Sequence, residues 1–349
     1  PFPSRNEQDR IVAKLDSLFE QLESINKSLD HMPTLLKNFR QQVLTQAVTG
    51  KLTEEWRKGK ELDSQTKSYL KKISADIQEA YEIKCSEAKK IGNRKPKDQR
   101  KNKKSDKDDN NLPKIPSVWK YTRAEELSYL ITDGVHFRPK YTENGIPFLS
   151  VKNVRPFSIS EKDCKYISDN DHNEYIKRCN PEFGDILYTK VGATFGYAAL
   201  VKNVLPFSIY VSLALIKPSK LLLGKYIELL FNSQLIFNQA RHRVSGSGVP
   251  DLHLIEIRDF KIPVTIVEEQ QEIVNRVEVL LAKADAIEVH YQALKTKIEH
   301  LPQAILHKAF KGELVPQLES DGDARELLKE IEGLKNNIVS NAKNASKRK

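Results

Sequence analysis

Residues 1–52, PFPSRNEQDRIVAKLDSLFEQLESINKSLDHMPTLLKNFRQQVLTQAVTGKL, return without a gap as residues 263–314, PVTIVEEQQEIVNRVEVLLAKADAIEVHYQALKTKIEHLPQAILHKAFKGEL. Glu7-Gln8 meets Glu269-Gln270 and Ile11-Val12 meets Ile273-Val274; Gln41, Leu44, Ala47, Gly50 and Leu52 meet Gln303, Leu306, Ala309, Gly312 and Leu314. Both copies share a heptad frame. Leu15, Leu18, Leu22, Ile25, Leu29, Met32, Leu36, Phe39 and Val43 step alternately by three and four; so do Val277, Leu280, Ala284, Ile287, Tyr291, Leu294, Ile298, Leu301 and Ile305. That spacing keeps one apolar seam facing a partner helix. Neither seam can be buried alone, so the repeat predicts two long helices packed as an antiparallel coiled coil. Gly50 and Gly312 stand where a left-handed glycine closes a helix. Pro33 and Pro302 are expected to kink or interrupt the helices.

Working outward, the frame divides the chain into a first heptad helix (1–53), a helical spacer and Lys-rich linker (54–111), a central domain (112–262), a second heptad helix (263–318), and a short helix with a basic tail (319–349). In the spacer, Tyr69-Leu70, Ile73, Ile77 and Tyr81 suggest a short amphipathic helix, and Leu327-Leu328 with Ile331 echo it in the tail. The run through Arg94, Lys95, Lys97, Arg100, Lys101, Lys103 and Lys104 reads as flexible linker by composition. The central stretch holds most of the aromatics. Ile146–Val151, Ile186–Thr189, Ala198–Val201 and Tyr210–Ile216 read as strands, and Tyr226–Ala240 has helical spacing. The expected fold class is α+β: one globular domain flanked by the two heptad helices.

Composition narrows the function. Lys+Arg number 57 against 47 Asp+Glu in 349 residues, a net charge of +10 that favours polyanionic partners. Three scattered cysteines, Cys85, Cys164 and Cys179, form neither a disulfide framework nor a zinc spacing, and the eight histidines offer no metal pair. No segment is apolar enough to span a membrane and no signal-peptide pattern is present, so a soluble, cytoplasmic protein is expected.

A globular domain framed by two related heptad helices resembles the specificity subunit of type I restriction–modification systems. The resemblance rests on Asn6-Glu7-Gln8 with Ile11-Val12, on Pro263 with Glu269-Gln270 and Ile273-Val274, and on the helix ends Ala47–Leu52 and Ala309–Leu314. Inside the domain it rests on Leu112-Pro113 with Pro116 and Trp119, Asp133-Gly134-Val135-His136, Gly145-Ile146-Pro147, Gly184-Asp185-Ile186-Leu187 and Gly192–Gly196. It implies a DNA target-recognition domain that reads half of a bipartite target in double-stranded DNA, with the helices holding the halves at a set distance. It also implies partner modification (methyltransferase) subunits handling S-adenosylmethionine, partner restriction subunits handling ATP, and no cofactor in this chain. The family pattern has two recognition domains. Pro1 aligns with Pro263, just past the domain, so the expectation is that the chain starts where a preceding recognition domain would end. A half-subunit that pairs with a second copy on a palindromic split site, and a coiled-coil scaffold whose domain binds protein or RNA, stay open as alternatives.

Reading DNA needs cations and amides for phosphates and donors or acceptors for base edges. Four loop clusters carry such residues: His136, Arg138 and Lys140; Lys152, Asn153 and Arg155; Lys190, Thr194 and Phe195 beside Gly192 and Gly196; and Arg241, His242 and Arg243 leading to Ser245 and Ser247. Asp133-Gly134 and Gly184-Asp185 read as turn chemistry. Catalysis is not expected. Asn180-Pro181-Glu182-Phe183 departs from the Asn/Asp-Pro-Pro-Tyr/Phe pocket of an adenine methyltransferase at Glu182, and no Walker loop appears. A nuclease reading from Pro250-Asp251 and Glu256-Ile257-Arg258 fails because Arg258 stands where a lysine is expected.

Overall fold

The computed structural model describes residues 2–101, 112–202, 206–244 and 250–346. Two compact units are present, residues 39–282 and residues 1–38 with 283–349. The first repeat copy is α1 (Arg5–Asp30), capped by Ser4 Oγ accepting from Glu7 N, and α2 (Met32–Val48). The break at His31 lies beside Pro33, which sits in the first turn of α2, where its missing N–H costs no helical bond. Gly50 closes α2 at φ +73. The short α3 (Glu54–Arg57) follows, then α4 (Asp63–Lys90).

This last helix corrects the spacer reading. Instead of a short helix on a tether, α4 buries Ile73 and Ile77 in the same core cluster as the central domain. Burying two such side chains contributes roughly 3–6 kcal/mol. Polar contacts fix its register: the Tyr129 and Ser219 hydroxyls both donate to Asp76, and Gln270 Nε2 donates to the Tyr69 hydroxyl at 3.4 Å. The start of the Lys-rich run is docked too, because the Ile131 amide donates to Gln99 Oε1 at 3.0 Å. Residues 102–111, with Lys103 and Lys104, lie outside the described residues.

The central domain opens with β1 (Lys120–Arg123) and β2 (Ser128–Asp133). Next come β3 (Ile146–Leu149), the hairpin β4 (Val154–Arg155) and β5 (Ser158–Ile159), β6 (Lys165–Ile167) and α5 (Asp169–Tyr175). The remainder is β7 (Ile186–Thr189), β8 (Ala198–Leu200), β9 (Ser208–Ile209), β10 (Leu213–Pro218), α6 (Gly224–Phe231), α7 (Gln234–Arg243), α8 (Leu254–Arg258) and β11 (Lys261–Val264). A four-stranded sheet, β2-β10-β7-β8, forms the centre, a second sheet runs β6-β3-β9, and β1 pairs with β11. The helix expected over Tyr226–Ala240 is two, because Ser233 caps α7 while its hydroxyl donates to Leu230 O at 2.6 Å. β10 starts three residues later than the apolar run, since the Leu213 amide turns back to Tyr210 O.

The second copy is α9 (Val267–Lys311), which runs through Pro302 unbroken, and α10 (Ala324–Ser346) follows it. Within residues 39–282, Val43, Ala47 and Val48 of α2 share one core cluster with Ile273, Val274 and Val277 of α9. Within the other unit, the start of α1 and the end of α9 line a common groove. Helix directions therefore oppose, as the heptads predict. The seam is narrower than predicted. Leu22, Leu36, Val43, Val277, Ala284, Tyr291 and Ile298 are buried and Leu15, Leu18, Leu29 and Leu280 half-buried, but Ile25, Ile287, Leu294 and Leu301 are exposed. Two helices alone cover one narrow line, so residues every seven positions go inside while much of the alternate set lies on the flank.

Where the second copy meets the domain stands a buried hub. Glu269 accepts hydrogen bonds from Thr53 Oγ1 (2.7 Å), Arg57 Nη1 (2.6 Å), Trp119 Nε1 (2.8 Å) and Thr265 Oγ1 (2.6 Å). Its side chain is fully enclosed, and the charge is held by Arg57 and three neutral donors. Pro116 packs so tightly over Gly50 that a Cβ there would meet Pro116 Cγ at 2.6 Å. The entry segment 112–119 is thereby seated on the end of one copy and the start of the other.

Candidate nucleic-acid interface

Sheet register decides which loops meet. Asp133 pairs with Ala214, Leu213 with Thr189, and Tyr188 with Ala198. The end of β2, the end of β7 and the starts of β8 and β10 thus lie at one end of the sheet, and the segments after Asp133, after Thr189 and before Leu213 emerge together. Gly134 makes the first departure possible: a Cβ there would lie 1.9 Å from Ile209 O.

Asp133 organises this end. Its buried carboxylate takes Arg178 Nη2 at 2.6 Å and lies 3.0 Å from His136 Nε2, with Lys190 Nζ 3.7 Å away. Lys190 also faces Asp251 at 3.8 Å and is itself buried. The loop after β7 is pinned to the downstream chain by Gly192 N to Pro250 O and by Leu252 N to Lys190 O, both 2.9 Å. The first and third predicted clusters are therefore neighbours through Asp133.

What remains exposed here is basic and aromatic. His136, Phe137, Arg138 and Lys140 are exposed. The Arg138 guanidinium and the Lys165 ammonium lie 5.7 and 4.1 Å from the Tyr141 ring centroid. Phe137 stands edge-on to Tyr175. A cation held over a ring loses less freedom when it later meets a phosphate or base edge. Phe137, Tyr141, Lys165 and Arg178 were missed by the sequence reading. Only Tyr141, three residues from Arg138, carried a local signal; Lys165 and Arg178 arrive through strand pairing.

Several predicted residues serve the fold instead. Arg243 is buried: Nη1 donates to Glu256 O (2.9 Å), Nη2 lies 3.4 Å from Asp259, and the guanidinium packs over Phe260. Asn153 is buried, accepting from Ser150 N and donating to Ser160 O, both at 3.0 Å. Lys190 is committed to Asp133 and Asp251. None of the three presents a free polar edge, because each satisfies a partner that would otherwise be buried alone. Phe195 is half-buried and stacked on Phe237 at 5.4 Å, and the carbonyl of Thr194 accepts from Thr189 Oγ1. Gly196 makes room for Phe237, whereas Gly192, at φ +93, faces open space and is the glycine that lets backbone approach a ligand. Lys152 and Arg155 are exposed but sit on the β4–β5 hairpin against β8, the edge strand opposite β2. Arg241 is exposed one turn beyond Phe237 on α7. Ser245 and Ser247 lie outside the described residues. At the Asn180 segment, Glu182 and Asp185 both bond Lys217, and Asp185 accepts from Glu182 N: a closed turn.

The family described as the type I restriction modification DNA specificity domain matches residues 116–299, a span that takes in the recognition end and the Glu269 hub. The chain belongs to this family. It is 27% identical to the EcoKI specificity subunit of Escherichia coli K12 and 28% identical to the EcoBI specificity subunit of Escherichia coli, over its whole length and 66% of theirs. Among solved structures, the HsdS subunit from Thermoanaerobacter tengcongensis aligns over 88% of this chain and 59% of its own at a TM-score of 0.50 and 16% identity. A chain from a study of type I R-M complex assembly and conformational transition aligns over 88% and 60% at a TM-score of 0.53 and 18% identity. These likenesses share the fold. The chain spans under two thirds of the length of these relatives.

Proposed function

We propose that this chain is a DNA-specificity module of a type I restriction–modification enzyme. Its domain reads one half of a split target, and the α1–α2 and α9 helices set that reader's position and carry partner methyltransferase and restriction subunits. The observation that carries this reading is the convergence at one sheet end of Arg138, Lys140, Lys165 and Arg178 with Tyr141 and Phe137. Cations there hold phosphates, and the open backbone at Gly192 with the His136–Arg138 loop reaches base edges. The domain performs no bond chemistry in this reading. S-adenosylmethionine and ATP belong to the partner subunits, and methyl transfer would act on an adenine turned out of the duplex there. The exposed flank of α9, Ile287, Leu294 and Leu301, supplies apolar surface for those partners.

The test selects bound duplexes from a random pool, with methyltransferase subunits added, and measures anisotropy on the winner. A defined half-site, lost in Arg138→Ala, supports the reading. Binding that is sequence-blind, or insensitive to raising salt from ~50 to ~200 mM, refutes it, because phosphate contacts release counterions.

A further inference from the structure

The repeat makes a comparison possible that neither copy allows alone. At the start of the second copy, Glu269 is enclosed by four donors, and the segment 112–119 fills the angle between α2's end and α9's start. The equivalent place in the first copy is the angle between α9's end, at Gly312, and α1's start, at Glu7. There the structure holds an apolar groove of about 640 Å³, lined by Phe2, Ile11, Leu15, Leu306, Ala309 and Phe310. Glu7, the repeat partner of Glu269, is only 8% exposed and lines this groove, yet its carboxylate accepts no hydrogen bond from any described residue. A buried carboxylate without donors is costly unless a partner arrives.

A second observation points the same way. α4, which follows the first copy, buries Ile73 and Ile77 on the domain seated beside it. α10 follows the second copy with a comparable stripe, but its Leu328, Ile331, Leu334 and Ile338 are all exposed. Seat and clasp are both formed, and both are vacant.

We propose that the Glu7–Gly312 groove is a second seat for a recognition domain, receiving an extended proline-containing segment whose tryptophan N–H donates to Glu7, with α10 closing on that domain as α4 does on the first. The occupant is a domain other than this chain's own. Trp119 is already buried on Glu269, and two copies of the chain would bring four seats for two such segments. The curated relatives extend beyond the matched 66% of their length, which leaves room for another domain. The identity of the occupant rests on the functional reading above; the seat rests on the repeat and the groove.

The test titrates the whole chain with a labelled synthetic peptide of residues 112–120, no DNA present, so that its outcome is separate from that of target reading. Saturable binding is expected. Glu7→Ala, or a peptide with Trp119→Phe, should weaken it roughly 10-fold, the scale of one hydrogen bond to a charged group. Glu7→Gln, which keeps an acceptor oxygen, should restore part of it, and Ala309→Trp, which fills the groove, should abolish it. Circular dichroism checks that each variant is folded. Absence of saturation at millimolar peptide, or equal binding by Glu7→Ala and Ala309→Trp, overturns the proposal. So does a dimer in light scattering that Ala309→Trp dissolves, since a second copy would then fill the groove.

Discussion

Arg243→Ala is expected to destabilise the central domain and to leave the DNA-facing surface in place. The guanidinium lies inside, bonded to Glu256 O, 3.4 Å from Asp259 and over Phe260. Removing one partner of a buried ion pair costs about 3–5 kcal/mol. Asp259 keeps Arg123 at 2.8 Å and Lys261 at 3.3 Å, so the loss sits at the lower end, about 3 kcal/mol. At roughly 2–4 °C per kcal/mol for a domain of this size, melting should fall by about 6–12 °C. Arg243→Met, which fills the volume without a charge, should lose less. Arg138→Ala is the counterpart: unchanged melting, and specific DNA affinity lower by about 1–3 kcal/mol, the scale of one base-directed contact. Thermal melting followed by circular dichroism, with fluorescence anisotropy on the same samples, separates the two. An Arg243→Ala protein that melts with the parent yet no longer binds DNA would refute the structural role given to Arg243.

Gly134→Ala should prevent stable folding of the domain, because the new methyl would overlap the backbone oxygen of Ile209; soluble expression with a parental melting curve would contradict the geometry. His172 is buried against Ser208 Oγ, and desolvation pushes its pKa below the ordinary value. The unfolded chain therefore takes up the proton first, so stability present above about pH 6.5 is lost as the pH falls below it. Melting at pH 7.5 and 5.5 should show that slope flattened in His172→Gln, and an equal slope in both proteins would remove the assignment. Leu294→Asp, on the exposed flank of α9, should shift melting by no more than about 1–2 °C, the effect of a surface substitution within ±0.5 kcal/mol. It should also reduce co-purification of a methyltransferase partner, and undiminished co-purification would exclude that flank as the docking face.

The heptad seam, the opposed helices and the family were legible because they repeat locally: a period of three and four needs no knowledge of what the chain touches. The closing glycines Gly50 and Gly312 were legible for the same reason. The candidate site was half legible. His136, Arg138, Lys140 and Arg241 stand exposed where loop chemistry placed them, whereas Arg243, Asn153 and Lys190 carry the same residue types and are buried. Their partners lie in distant or folded-back segments: Asp133 is 57 positions before Lys190 in the chain and Asp251 is 61 after it. Arg178 and Lys165 joined the site only through strand pairing and the Asp133 carboxylate.

The sequence by itself determined that two like helices bracket an α+β domain, since periodicity and turn residues act between near neighbours. Tertiary structure alone decided which cations face solvent, that α4 belongs to the core, and that one of two equivalent seats is filled while Glu7 waits in the other. Charge and apolarity are properties of a residue; burial and pairing are properties of the surface brought against it.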